Sequence, residues 1–516
     1  MTVSKRTRLA GAGCGILAAA AGLGAAEGVA AFLSVPSPVV AVGQQMIDLA
    51  PPFLKDFAVE TFGENDKGIL VIGVVATLGL VAALAGVIGV TRRKLAVAMA
   101  AGLGIVGLIA AYFGATVAVP LTQRLLPGLA ALLVSAGGLS VLLRAFDGEP
   151  ATSTASTENT PGVDRRKFLG AAAAIGAIGV LGAGIASFGR RMVDISSLAI
   201  PNPTETLPPM PAGVAFTDIE GLTPFLTPLD EFYRVDTALS VPQVDPTTWQ
   251  LRIHGMVDKE ITLTYDQLLA RDLVERDITL TCVSNEVGGP YVGNARWTGT
   301  SIQALLEEAG VQDGADAVLS TSTDGMTIGT PVGALMDGRD AIIAVGMNGQ
   351  PLPADRGFPA RMVVPGLYGY VSATKWLVDM EITRFADFEA YWTPRGWAEE
   401  APIKISSRID VPGSFQKYDK GQIVIAGVAW AQNTGVEGVE VSIDGGEWQA
   451  AELSDELSVD TWRQWRYTWD GSGATSGSHE AKVRAIGQDG ETQTEEQAPP
   501  RPNGASGWHG IVFGVN

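Results

Sequence analysis

Residues 277–289 read Asp277-Ile278-Thr279-Leu280-Thr281-Cys282 and then Val283-Ser284-Asn285-Glu286-Val287-Gly288-Gly289. The alternation of apolar and β-branched residues predicts a strand that Cys282 closes, and the Asn- and Gly-containing run predicts a turn after it. A strand end that opens into such a loop is a place where side chains are presented to a ligand. Cys282 is the only thiol in this half of the chain, because the other cysteine, Cys14, lies in an apolar stretch near the N-terminus. Two cysteines in 516 residues exclude a disulfide framework, an iron–sulfur cluster and a cysteine-rich zinc site. A protease-type thiol needs a histidine partner, and neither motif nor spacing supplies one from His254, His479 or His509. The plain alternative is a small, buried, apolar cysteine, as His254 in its predicted strand reads as an ordinary structural histidine.

Around this segment the pattern alternates short strands and short helices. Trp249–Ile253 and Ile278–Cys282 read as strands, and Tyr265–Ala270 and Ile302–Ala309 as helices, which predicts an α+β domain over residues 191–400. After Pro402 the helical pattern stops. Gln422–Ala429, Gly438–Ile443, Trp462–Trp469 and Ala481–Ile486 read as strands separated by turns such as Asp444-Gly445-Gly446, so residues 401–516 predict an immunoglobulin-like β-sandwich.

Toward the N-terminus the chemistry changes. The chain is 47% hydrophobic yet carries a formal charge of −19, and the two facts belong to different parts. Residues 1–189 hold 13 basic and 10 acidic side chains, while the remainder holds 23 and 45, a net of −22 that would repel nucleic acid. Five apolar stretches, near Leu9–Leu33, Ile69–Val90, Leu95–Val119, Leu125–Leu143 and Phe168–Phe188, approach or exceed the ~20 residues that cross a bilayer core. Lys5, Arg6 and Arg8 precede the first, Arg92, Arg93 and Lys94 follow the second, and Arg144, Arg165, Arg166 and Lys167 flank the gap before the fifth. Positive charge marks the cytoplasmic side. The pattern predicts a multi-pass protein of the cell membrane, with four helices in 1–145, a cytoplasmic linker over 146–164, a fifth helix in 165–190, and the rest outside. Asp164-Arg165-Arg166-Lys167-Phe168-Leu169-Gly170 resembles a twin-arginine export signal. Membrane haem is excluded, since all three histidines lie beyond residue 190. Glu27 reads as a neutral carboxyl near the membrane edge.

Three blocks carry a resemblance. Thr279-Leu280-Thr281-Cys282-Val283-Ser284-Asn285 with Gly293-Asn294-Ala295-Arg296-Trp297-Thr298-Gly299 is similar to the cysteine segment of the sulfite oxidase family of molybdenum enzymes. Met347-Asn348-Gly349-Gln350-Pro351-Leu352-Pro353, Gly357-Phe358-Pro359-Ala360-Arg361 and Tyr368-Gly369 through Lys375-Trp376-Leu377 form a second block. Phe232-Tyr233-Arg234-Val235-Asp236-Thr237 is a weaker third. The resemblance spans roughly residues 225–516 and leaves 1–160 unaccounted for.

That resemblance implies a molybdenum held by one pterin dithiolene, oxygen ligands and the Cys282 thiolate, a soft donor set suited to the metal. Arg361 and Lys375 match the cofactor-binding positions best, with Tyr233, Arg234, Asp236, Ser284, Asn285, Ala373 and Thr374 beside them. The implied catalytic set is Cys282, Arg296, Arg356 and Trp397. The implied reaction is oxygen-atom transfer to or from a small molecule, with electrons exchanged with a separate cytochrome or quinone-linked protein, and the C-terminal domain implies a homodimer. Sulfite-oxidising members carry a tyrosine where Trp397 stands, paired arginines where Glu286-Val287 stand, and a basic residue where Glu275 stands. Fewer cations weaken the case for a doubly charged oxyanion and leave sulfoxide reduction open. The competing function is a non-enzymatic, membrane-anchored surface binding protein with an immunoglobulin-like domain. A transporter finds support only in the first four spans.

Overall fold

The computed structural model describes residues 4–33, 35–51, 54, 57–58, 61–62, 66–114, 119–146, 165–189 and 195–516. Its contacts divide the chain into two units, Met1–Asp194 with Ala238–Gln243, and Ile195–Thr237 with Val244–Asn516.

The first unit includes helices α1 (Lys5–Leu33), α2 (Pro38–Leu49), α3 (Asp66–Gly89), α4 (Arg93–Phe113), α5 (Leu121–Phe146) and α6 (Arg165–Gly189). Five of them, all but α2, are long and apolar enough to cross a membrane. Large apolar side chains such as Ile72, Leu80, Leu133, Val180 and Leu181 face outward, while small residues face inward. A methyl group added at Gly15 would overlap the Ala82 carbonyl of α3, and one at Gly182 would overlap the Gly24 carbonyl, so α1 touches α3 and α6 almost backbone to backbone. The sequence reading leaves α2 out. Its start is nonetheless marked by Ser37, whose hydroxyl accepts from the Val40 N–H, and by Pro38 at the first helical position. Of the 146–164 linker only Phe146 lies within the described residues, as the end of α5.

The second unit holds four sheets. One has the order β2 (Ile261–Thr264), β1 (Gln250–Gly255), β10 (Leu377–Thr383), β5 (Ala317–Ser322) and β6 (Thr327–Pro331). Its β1–β10 pair is parallel and the others are antiparallel. The next has the order β3 (Leu273–Thr281), β4 (Val292–Ser301), β7 (Ile342–Met347) and β8 (Gln350–Pro351), with β9 (Arg361–Val363) also on β7. Short helices α7 (Tyr265–Leu269), α8 (Ile302–Ala309), α9 (Val332–Met336) and α10 (Gly369–Ser372) lie between strands. A Thr264–Gln267 capping box starts α7, and the left-handed Gly310 stops α8. Trp297, Trp376 and Phe358 are fully buried.

The C-terminal residues form two further sheets. One has the order β11 (Ser406–Val411), β13 (Gln422–Trp430), β17 (Arg463–Asp470) and β16 (Glu452–Leu453). The other has the order β12 (Lys417–Tyr418), β19 (His509–Val515), β18 (Gly477–Gly487), β14 (Val436–Ile443) and β15 (Gln449–Ala450). Ile423, Ile425 and Trp465 from the first share one apolar cluster with Val439, Val483 and Phe513 from the second.

Strand β3 is the edge of its sheet, but its outer side is engaged. Glu275 N–H donates to Glu205 O, Thr279 N–H to Asp460 O, and the Thr279 hydroxyl accepts from Trp462 N–H. The strand ends at Thr281, so Cys282 stands one residue beyond it, a small correction to its expected place as the last strand residue.

Candidate active site

Cys282 opens a loop that closes on itself. Its N–H donates to Tyr291 O at 2.9 Å, its carbonyl accepts from Asn285 N–H at 3.0 Å, and Asn285 Oδ1 accepts from Tyr291 N–H at 2.7 Å. Sγ is 3.4 Å from the Ser284 amide, which donates to it. The side chain is 8% exposed. Burial pushes the thiol up from its ordinary range, while the Ser284 amide and the charge of Lys375 pull the other way.

Cations converge from three segments. Asp236 accepts from Arg234 Nε at 2.8 Å and from Lys375 Nζ at 2.9 Å. Burial lowers Lys375 to about 8 against the pull of Asp236. Arg361, on β9, donates from Nη1 to Arg356 O at 3.0 Å and lies 5.0 Å from the Trp297 ring centre. No carboxylate pairs with it among the described residues, and burial drives it down to about 10. Arg356 donates to Leu229 O at 3.2 Å and has Asp355 beside it. Among the described residues, Arg356 Nε and Nη1 and Arg361 Nε are buried without a hydrogen-bond partner. Three buried guanidinium nitrogens left open is the arrangement an anionic or polar ligand completes.

The structure brings most of the expected residues together. Tyr233 senses the charges of Cys282, Arg361 and Arg356, and burial pushes its phenol up. A Cβ at Gly369 would stand 3.8 Å from Thr281 O and 3.9 Å from Tyr233 Oη, which places the start of α10 against the cysteine strand. Ala373 N–H donates back to Gly369 O, and buried Thr374 bonds Ser320 through its hydroxyl at 2.7 Å and Met362 N–H through its carbonyl.

One expected residue stands apart. Arg296 forks onto Asp277 at 3.0 and 2.7 Å, and the register pairs them across β3 and β4. Asp277 lies five positions from Cys282, roughly 17 Å along a strand, so Arg296 braces the sheet. Trp397 packs on Tyr370 at 5.7 Å, on Trp392 at 6.3 Å and under Arg501 at 5.5 Å. His254 pairs with Asp379 at 3.0 Å across β1 and β10, as its structural reading requires. Tyr368, which senses Cys282, and Trp297, which lies under Arg361, escaped the residue-by-residue reading. Both sit inside the quoted blocks, but Trp297 is 64 positions from Arg361 and Tyr368 seven from Lys375, so no adjacency in sequence marked either.

Comparison with known proteins falls on the same stretch. Residues 238–392 match the family described as Oxidoreductase molybdopterin binding domain. The mitochondrial sulfite oxidase of Homo sapiens is 29% identical over 291 residues, covering 47% of this chain and 52% of that one. The oxidoreductase YuiH of Bacillus subtilis is 30% identical over 153 residues, which are 30% of this chain and 74% of that one. The solved sulfane dehydrogenase SoxCD from Paracoccus pantotrophus matches with a TM-score of 0.49 at 22% identity, over 57% of this chain and 84% of that one. The matched block defines a molybdopterin-binding oxidoreductase. Within that class, this chain belongs to the sulfite oxidase family. It spans about half the length of the human sulfite oxidase it matches, and the non-enzymatic reading gives way.

Proposed function

We propose that the chain is a membrane-anchored enzyme whose catalytic unit faces away from the cytoplasm and carries out oxygen-atom transfer on a small molecule. The observation that carries this is the buried Cys282 thiol standing in the field of Lys375, near two buried arginines whose Nε–H groups lack partners. These residues fit a molybdenum–pterin group. Cys282 offers one soft sulfur, and the cofactor's dithiolene supplies the others. No carboxylate among the described residues balances Arg361, and a pterin phosphate would do so. When bound, the group supplies two-electron oxygen-atom chemistry.

The chain's own residues bind and orient. Arg361 and Lys375 would hold the anionic end, with Arg234 and Asp236 setting the direction of the Lys375 ammonium. Tyr233, Ser284, Asn285, Ala373 and Thr374 line the cofactor, and the Ser284 amide stabilises the thiolate by donating to Sγ. Arg296 is neutralised by Asp277, which removes a cation that could have recognised a dianion such as sulfite and favours a less charged oxo donor or acceptor, such as a sulfoxide. Arg356 and Trp397 are left as the residues that meet the substrate.

The five apolar helices with outward-facing Leu, Ile and Val support anchoring, and the Lys and Arg residues at their ends support a cytoplasmic N-terminus. Four of the helices form a domain over 1–145, and the fifth, with its signal-like arginines, follows the 146–164 linker. Residues 191–400 form the cofactor domain, and the two sheets of 401–516 form the immunoglobulin-like sandwich through which two copies pair. Electrons pass to or from a separate cytochrome or quinone-linked protein. Metal analysis of the full chain from a host that makes the pterin should find about one molybdenum per chain. A folded chain without molybdenum overturns the proposal. Turnover with sulfite and an artificial acceptor, beside methionine sulfoxide and a reduced dye, decides direction and substrate.

A further inference from the structure

The loop that opens at Cys282 is held from outside by residues more than a hundred positions away. Arg408, on β11, is 9% exposed and bonds in three directions. Nη1 donates to Gly289 O at 3.0 Å, Nη2 donates to Thr223 Oγ1 at 2.9 Å, and Nε donates to Asp410 Oδ1 at 2.7 Å. Asp410 in turn accepts from the Thr223 N–H at 3.2 Å. One planar guanidinium therefore joins the far end of the cysteine loop to the segment that leads into Tyr233, Arg234 and Asp236. His509 supports the same spot. Its Nδ1 accepts from Ile409 N–H at 3.0 Å, and its ring covers Gly288, where φ is +77° and an added methyl would overlap the imidazole. Only glycine satisfies both the left-handed backbone and the contact.

We propose that Arg408 is a positioning residue for the thiol: by bonding Gly289 and Thr223 together it fixes the cysteine loop against the Tyr233–Asp236 segment and so sets where Cys282 Sγ stands. The inference rests on reading Cys282 as the cofactor-side thiol, and it makes the C-terminal sheets a working part of the site. A guanidinium suits this role because its fork serves two acceptors in fixed directions, which an ammonium does less well. The loop's own bonds, from Tyr291 N–H to Asn285 Oδ1 and from Gly289 N–H to Glu286 O, keep its shape but leave its tilt to Arg408.

The test uses the full chain, made in a host that lacks the pterin so that the thiol is free. Iodoacetamide labelling of Cys282 is read by peptide mass mapping, and amide exchange over 284–291 is compared with exchange over β18. Arg408→Gln should label Cys282 about tenfold faster and speed exchange in the loop, with β18 unchanged. Arg408→Lys, which keeps the charge but not the fork, should fall between the parent and the glutamine variant, as should Thr223→Val, at about threefold. The Thr223 variant carries the test if the glutamine variant does not fold. Unchanged labelling in a folded Arg408→Gln or Thr223→Val chain overturns the inference. In metal-loaded chains Arg408→Gln should lower kcat with KM held. Molybdenum analysis of the unmutated chain is a separate readout: missing metal ends the enzyme reading, while the labelling result still decides what Arg408 does to the loop.

Discussion

Replacing Arg361 with methionine separates what the guanidinium does for the fold from what it does for the cofactor. In the cofactor-free protein no carboxylate among the described residues pairs with the buried charge, and burial drives it down to about 10. At about 1.4 kcal/mol per pH unit this amounts to roughly 3 kcal/mol against the charged form. The bond from Nη1 to Arg356 O and the stack on Trp297 at 5.0 Å oppose it, each by about 1–2 kcal/mol. The terms nearly cancel, and methionine fills much of the same volume. Arg361→Met should therefore leave cofactor-free stability within about 1 kcal/mol of the parent chain, read as a shift of a few degrees at most in thermal unfolding. With the pterin phosphate present, the same change removes a charge-assisted contact worth about 3 kcal/mol, so pterin retention should fall by about two orders of magnitude. A variant that loses more than about 3 kcal/mol of cofactor-free stability yet keeps its full pterin content would refute the assignment, because Arg361 would then be a structural residue.

Cys282→Ser should fold, since the loop is closed by backbone and Asn285 bonds, but should carry no molybdenum by metal analysis. Full metal occupancy in that variant would remove the ligand role. His479 donates from Nδ1 to Asp444 at 2.6 Å and from Nε2 to Thr475 O at 2.8 Å, so both N–H groups of the imidazolium are satisfied, and the Asp444 bond raises it above 6.5. A raised folded value means that this stabilisation is complete below 6.5 and is lost as pH climbs through the higher folded value. The unfolding temperature of the parent should therefore fall more steeply than that of His479→Gln over about pH 6 to 9, and parallel curves would contradict this. In the helical unit, Gly182→Leu should reduce the yield of folded chain on size-exclusion analysis, because the side chain would overlap the Gly24 carbonyl. Gly184→Leu, which meets nothing, should be tolerated, and equal losses in both would exclude the close contact of α1 and α6.

The long apolar helices were legible because hydropathy is local: Ile69–Val90 and Asp66–Gly89 differ by only a few residues at each end. The helix 302–309 was equally plain, marked by Ser301 before it and Gly310 after it. Tyr233, Cys282, Arg361 and Lys375 could be selected from short blocks, and they meet in space. Arg296 sits in the same kind of block, yet its partner Asp277 was set by strand register, which no single strand reveals. Arg408 and His509 were beyond reach for a related reason. Their contacts with Gly289 and Gly288 cross 119 and 221 sequence positions, and neither residue has a motif around it. Helix α2 was missed although Ser37-Pro38 announced it, since a 12-residue helix between long apolar spans gives hydropathy little to distinguish it.

Strand β3 carries the thiol at its tip and borrows the cover for its outer flank from Glu205 on one side and Asp460 on the other. A fragment cut near residue 400 would uncover the Asp460 side and expose unpaired amides on a flat, β-branched strand. Copies of such a fragment would be expected to zip together edge to edge and bring their thiols side by side, inviting insoluble, cross-linked material. The late segment between β16 and β17 thus acts as a sheath for the strand that leads into the thiol, and attempts to trim the enzyme should begin elsewhere.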